Sequence, residues 1–217
     1  MRRNALFPEN RIFRVVLLTV SLWSMLVDLA YASPGISDRA VMEEMNLART
    51  EPLLYAGYLK EFRKNFEGKF YRLPGMVIVI ETNEGVAAVD EAINFLVRQK
   101  PLPPLNWSTD LAAAAAELAE EQGKSGATGH NGLKSGGILV RAKRHAIKGR
   151  IIGENIAYGP NSARGMVLQL LIDDGVPNRG HRKNQFNPLF DSAGIFCGPH
   201  PRYETMCVID FWGRPRK

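Results

Sequence analysis

The residues best suited to chemistry are Glu154 and Asn155 in Gly153-Glu154-Asn155-Ile156, the pair Asp173-Asp174, and Gly180-His181-Arg182. They gather around one short apolar helix, and a further imidazole, His130, sits upstream among glycines. Two imidazoles with two or three carboxylates are donors enough for zinc or another divalent cation. Taken singly, each has an ordinary explanation. Glu154 could be exposed or cap local amides, and the two histidines could be hydrogen-bonded turn residues. Asp173 and Asp174 end a helical run, where the macrodipole is negative. They therefore call for compensation by Arg179 or Arg182, or by a bound cation. His130 and His181 are 51 positions apart, and no H-E-x-x-H or cysteine-based zinc pattern joins them. A G-x-S-x-G elbow and a phosphate-binding glycine motif are absent, so no nucleophile is visible.

Positioning these groups falls to a succession of helices and strands. Ser37-Asp38 can cap a helix carrying Val41, Met45 and Ala48 up to Pro52, and a second helical run has Leu54, Tyr58 and Phe62 on one face. Residues 64–83 are mixed, and Met76 to Ile80 reads equally as a short strand or an extended arm. Helical spacing returns with Val86, Val89, Ile93, Leu96 and Val97, and the prolines from 101 to 104 stop it. Ser108 or Thr109 starts an alanine-rich helix from Leu111 to Gln122, with Gly123 as its left-handed terminator. Asn106-Trp107-Ser108 also matches a glycosylation sequon, a chance match at a helix cap. The basic run from Arg141 to Arg150 reads as a solvated surface. Ile151-Ile152 leads a strand into Glu154, and Ser162 caps a helix burying Met166, Val167, Leu170 and Leu171 that ends at Gly175 and Pro177. Ala193 to Cys197 and Met206 to Phe211 form a hairpin-like pair. Setting Cys197 opposite Cys207 also sets Ile195 opposite Ile209, so one register serves both a disulfide and the apolar faces.

At 217 residues and 45% hydrophobic, the chain can bury one sizeable core. Residues 1–32 have the form of an export signal: Arg2, Arg3, Arg11 and Arg14, then an apolar run, then Ala30-Tyr31-Ala32. Arg2-Arg3 is too far from the apolar run to favour twin-arginine export, and Asp28 weighs against a retained anchor. Removing residues 1–32 takes four Arg, one Glu and one Asp from 28 basic and 22 acidic residues, leaving 24 and 20. That balance suits an anionic cell-surface polymer but lacks the basic clustering of a nucleic-acid binder. An oxidising destination makes Cys197 and Cys207 a disulfide rather than a metal or catalytic pair.

His130 after an alanine-rich helix, Gly153-Glu154-Asn155-Ile156, Gly180-His181-Arg182 with Asn184 to Pro188, and the closing Phe190, Ala193-Gly194 and Ile209-Asp210-Phe211 together resemble the secreted CAP domain. This is the family of cysteine-rich secretory proteins, antigen 5 and plant pathogenesis-related proteins of the first class. The resemblance spans roughly Asp38 to Gly213 and points to a bacterial branch. It implies an α+β fold, a three-layer α-β-α sandwich around a small, mostly antiparallel central sheet. On that basis 1–32 is a signal, 33–104 holds the first helices and an extended connection, and 105–217 completes the domain with its cleft. The resemblance also implies that His130, Glu154, Asp174 and His181 converge. His130 and His181 would hold the metal, and Asp174 would replace a longer Glu.

The resulting expectation is a secreted or periplasmic binding module for a divalent cation, zinc foremost, or for a small or lipid ligand. The alternatives are a metal-dependent hydrolase with Glu154 or Asp174 as general base, and a structural envelope protein. No organic cofactor and no permanent membrane anchor are expected. Cleavage after Ala32 predicts that exported protein begins at Ser33. Intact mass of secreted material tests this, and recovery of residues 1–32 in a membrane fraction would contradict it.

Overall fold

In the computed structural model, residues 35–148 and 151–214 are described; the export signal expected at 1–32 lies outside them. The chain runs α1 (Asp38–Thr50), α2 (Pro52–Arg63), β1 (Phe66–Glu67), β2 (Phe70–Tyr71), β3 (Ile80–Glu81), α3 (Val86–Arg98), β4 (Asn106–Trp107) and α4 (Thr109–Ser125). It continues with α5 (Ile138–Arg144), β5 (Ile151–Tyr158), α6 (Ala163–Ile172), α7 (Gly180–Gln185), β6 (Phe190–His200) and β7 (Glu204–Gly213). Local signals set the principal starts. The hydroxyls of Ser37, Ser108 and Ser162 accept from the backbone N–H of Ala40, Leu111 and Gly165, satisfying otherwise orphaned first-turn donors.

The central sheet has the order β4-β6-β7-β5, with β4 parallel to β6 and the other neighbours antiparallel. The β6/β7 register pairs Ile195 with Ile209 and Cys197 with Cys207, as the alternation of the sequence required. The disulfide joins those cysteines. Strand alternation divides the core. Met206 and Val208 of β7 and Ile156 of β5 pack with Ala115, Leu118 and Ala119 of α4. Ile195, Cys207, Ile209 and Phe211 share a larger cluster with α1, α2, α3 and α6. Segments 33–104 and 105–217 thus bury their apolar faces in one core, within a single compact unit, Gly35–Lys217. At Gly194 a Cβ would lie 2.0 Å from the Ala112 nitrogen, so a side chain there would push α4 off β6.

Two helix ends differ from the sequence reading, and one open segment is resolved. Helix α4 passes through Gly123 and ends at Gly126, which takes the left-handed state with φ 70°. Gly123 is small because the Pro199 carbonyl lies where its side chain would be. Helix α6 stops at Asp173 itself, in the left-handed state with φ 57°, before Gly175 and Pro177 are reached. Of the run Met76 to Ile80, Ile80 alone joins a strand, and Val77, Ile78 and Val79 are exposed.

Opening the Cys197–Cys207 bridge frees a short loop in the unfolded chain. Replacing both cysteines with serine should therefore lower unfolding free energy by about 2–3 kcal/mol. Chemical denaturation measures it, and unchanged stability would show that the hairpin needs no staple.

Candidate functional site

Strand β5 is an outer strand of the central sheet, and alternation sends its neighbouring residues to different tasks. Glu154 pairs across the ladder with Asp210 of β7 and projects to the α4 face, as Ile156 does; Asn155 projects to the other. Glu154 is buried and held by Arg141 of α5, whose Nη2 donates to Oε2. Arg141 is wholly buried, and its Nη1 also donates to the Gly136 carbonyl at 2.8 Å. Its guanidinium lies 3.8 Å from Asp210, whose two oxygens lack hydrogen-bond partners. Burial, reinforced by the Glu154 charge and opposed by Arg141, pushes the Asp210 carboxyl well above the usual carboxylate range. Two buried acids thus share one guanidinium, an arrangement that favours the protonated form of Asp210.

The other oxygen of Glu154 holds His130. Oε1 lies 2.7 Å from Nδ1 of the imidazole, which is half exposed. A carboxylate can only accept, so Nδ1 carries a proton, and in the neutral ring Nε2 is the nitrogen with the lone pair. The loop bearing His130 is anchored from α4. Gln122 Nε2 donates to the Gly129 carbonyl, and the Gly129 amide donates to Tyr158 Oη, which donates in turn to Gln122 Oε1. Glu121 accepts from the amides of Ser135 and Lys134, and those bonds hold its carboxyl down at about 2.

His181 is built in the same way from the opposite side. Its Nδ1 lies 2.6 Å from Oδ1 of Asp173, whose Oδ2 accepts from the backbone N–H of His181 and of Arg182. A carboxylate at the negative end of α6 is thereby compensated by amides opening α7. Asn155 Nδ2 donates to the His181 carbonyl at 2.9 Å, and Asn184 Nδ2 donates to Asn155 Oδ1. Arg49, buried in α1, donates to the carbonyls of Gln185 and Asn187 beyond it, and burial lowers its pKa to about 10. The imidazoles of His130 and His181 face each other with ring centroids 6.5 Å apart.

Of the four residues expected to converge, His130, Glu154 and His181 do so. Asp174 does not: its oxygens accept from the Asn83 and Glu84 amides, in the connection before α3. Asp173 takes its place, because the left-handed turn at that residue swings its side chain beneath α7. Neither Arg179 nor Arg182 pairs with these carboxylates through its side chain; both guanidiniums bind Glu91 instead. Arg141, read as part of a solvated run, is the buried partner of Glu154. Its basic neighbours gave no sign of this. Asp210 was noted for its motif alone, although Glu154 and Asp210 both lie on strands that alternation could have placed face to face.

Residues 43–211 match the family model described as the cysteine-rich secretory protein family, CAP. The chain is a member of the CAP family. Solved structures similar to this CAP domain include an extracellular protein containing an SCP domain from Bacillus anthracis, 20% identical with TM-score 0.44. That alignment covers 59% of this chain and 38% of the other. An outer surface protein from Borrelia burgdorferi is also 20% identical, with TM-score 0.44 and coverage of 52% and 80%. A cysteine-rich secretory protein from Staphylococcus aureus is 16% identical, with TM-score 0.40 and coverage of 66% and 46%. The chain therefore spans less than half the length of the first and third of these. No curated protein sequence matches it significantly. Among the described residues, no helix of the CAP domain is long and apolar enough to cross a membrane.

The Asp210 carboxyl gives a signed pH prediction. Its folded-state pKa is raised, so the unfolded chain releases this proton first and the wild type is progressively penalised as pH rises above about 4. Asp210→Asn removes that dependence. Its stability relative to wild type should improve above about pH 4, by up to about 1.4 kcal/mol per pH unit while Asp210 stays protonated in the fold. Denaturation curves across pH 4–8 test this, and a difference that does not vary with pH would contradict it.

Proposed function

We propose that this CAP domain is an exported binding module whose two imidazoles hold a divalent cation, zinc foremost, through Nε2 of His130 and Nε2 of His181. The observation that carries the reading is the pair of carboxylate–imidazole bonds, Glu154 to His130 and Asp173 to His181. Each fixes the tautomer that leaves Nε2 as donor, the arrangement by which proteins orient metal-ligating histidines. The ring centroids lie 6.5 Å apart with planes 28° from parallel, so one ion held at about 2.0–2.1 Å by each nitrogen requires the half-exposed His130 ring to swing toward His181. Among the described residues, no group of three or more His, Cys, Asp or Glu donors gathers round one point. Such a cation would complete its shell with water or ligand atoms, with modest affinity. Export is supported by the signal-like start.

A binding role is favoured over hydrolysis because the carboxylates are already committed. Glu154 serves His130 and Arg141, and Asp173 serves His181 and two amides. Neither therefore presents a free basic oxygen to a water. A depression of about 440 Å³ beside His130 is walled by Ile138, Leu139 and Val140, with Asn131 and Glu154. Leu139 and Val140 are exposed there, which suits a small ligand with an apolar part next to the atom that completes the metal shell.

Calorimetric titration with zinc tests the proposal. The wild type should take up one equivalent at neutral pH and bind progressively less toward acid, because protons compete for the imidazole nitrogens. His130→Ala and His181→Ala should each weaken binding at least tenfold. Glu61→Gln, in an exposed pair with Lys64, should leave it unchanged. Undiminished binding after loss of both histidines would overturn the reading.

A further inference from the structure

The turn from α6 to α7 is held in a form that its own sequence does not favour. Asp173 and Arg179 both have left-handed backbones, φ 57° and 50°, a state that residues with a Cβ avoid. His181 depends on both ends of this turn. Its ring and its amide bond to Asp173, and it follows Arg179 by two residues.

The Arg179 side chain is nearly buried, and its guanidinium is fully engaged. Nη1 donates to Glu84 Oε1 at 2.6 Å and to the carbonyls of Asp173 at 2.9 Å and Val176 at 3.2 Å. Nη2 donates to Glu84 Oε2 at 2.7 Å and Glu91 Oε2 at 2.6 Å, and Nε reaches Glu91 at 3.0 Å. The carboxylates are themselves fixed. Glu84 Oε1 accepts from the Gly175 amide, and Glu91 Oε1 accepts from Arg182. Bonds to Arg179 and to that amide hold the Glu84 carboxyl down at about 2, so the clamp stays charged over the ordinary pH range. Asp174 completes it from the other strand of the turn, accepting from the Asn83 and Glu84 amides. The connection before α3 is therefore locked to both ends of the segment that carries Asp173 and leads into His181.

We propose that Arg179 is a positioning residue for the His181 imidazole, anchored by Glu84 and Glu91. It touches the Asp173 carbonyl and the carboxylates of Glu84 and Glu91 rather than any ligand, and it acts by fixing where the Asp173 carboxylate meets the ring. The fork geometry matters, since a lysine ammonium supplies the charge but cannot bind two carboxylates and two carbonyls in one plane. The inference rests on reading His181 as a metal donor, but its placement of the ring can be tested without metal.

The test compares full-length wild type, R179A, R179K and E84Q, all checked for cooperative melting. The ring-proton resonances of the four histidines are recorded without metal, and zinc affinity is measured separately. R179A should shift or broaden the His181 signals, leave His145 and His200 in place, and weaken zinc binding about tenfold. R179K should repair neither, and E84Q, which weakens one of the two anchoring carboxylates, should move the His181 signals in the same direction by less. Unchanged His181 signals in R179A, or equal movement of all four histidines, would overturn the proposal. A wild type that binds no zinc would sink the metal reading while the ring signals still decide this one.

Discussion

Placing a glutamate on the inner face of a sheet is costly unless its charge is met, and the site follows from how this chain meets it. Arg141 is drawn wholly into the interior to reach Glu154, which fixes α5 and the Gly136 turn against β5. Asp210, directly across the ladder, shares that single guanidinium, and its burial beside the Glu154 charge pushes its carboxyl well above the usual range. With one oxygen of Glu154 spent on Arg141, the other faces outward in a defined position, and His130 closes onto it. A buried charge balance thus becomes a surface imidazole of fixed orientation.

The second imidazole reaches the same place by different means. Its carboxylate is satisfied by backbone donors and a ring nitrogen rather than by arginine, so Asp173 can sit at the end of a helix without a cationic partner. The tension moves to the backbone, where two residues adopt left-handed geometry, and α3 with its preceding connection restrains them through side chains. Removing a single partner from the Glu154 pair would strand a buried charge. Loosening the α3 contacts would instead free a turn, and the two halves should respond differently to mutation.

Features carried by short-range rules were legible in the sequence. Serine caps start α1, α4 and α6, and alternation about Ile195 and Cys197 sets the final register. The fold class and the meeting of His130, Glu154 and His181 came from matching separated motifs, not from spacing, because no local rule relates positions 51 apart. Matching Leu171 to Asp174 to the family's motif favours Asp174, but the helix turns left-handed at Asp173, two residues before Gly175. A left-handed aspartate leaves no compositional mark. Arg141 was hidden for a related reason: it shares a basic run with exposed lysines, and its burial is decided by a carboxylate on another element.

The central claim is that two buried carboxylates, Glu154 and Asp173, fix the imidazole tautomers. Long-range proton–nitrogen correlation spectra of uniformly labelled, metal-free protein at neutral pH read the tautomer of each histidine directly. The account predicts that the proton sits on Nδ1 in both His130 and His181, with Nε2 unprotonated. Protonation at Nε2 in either ring would contradict it.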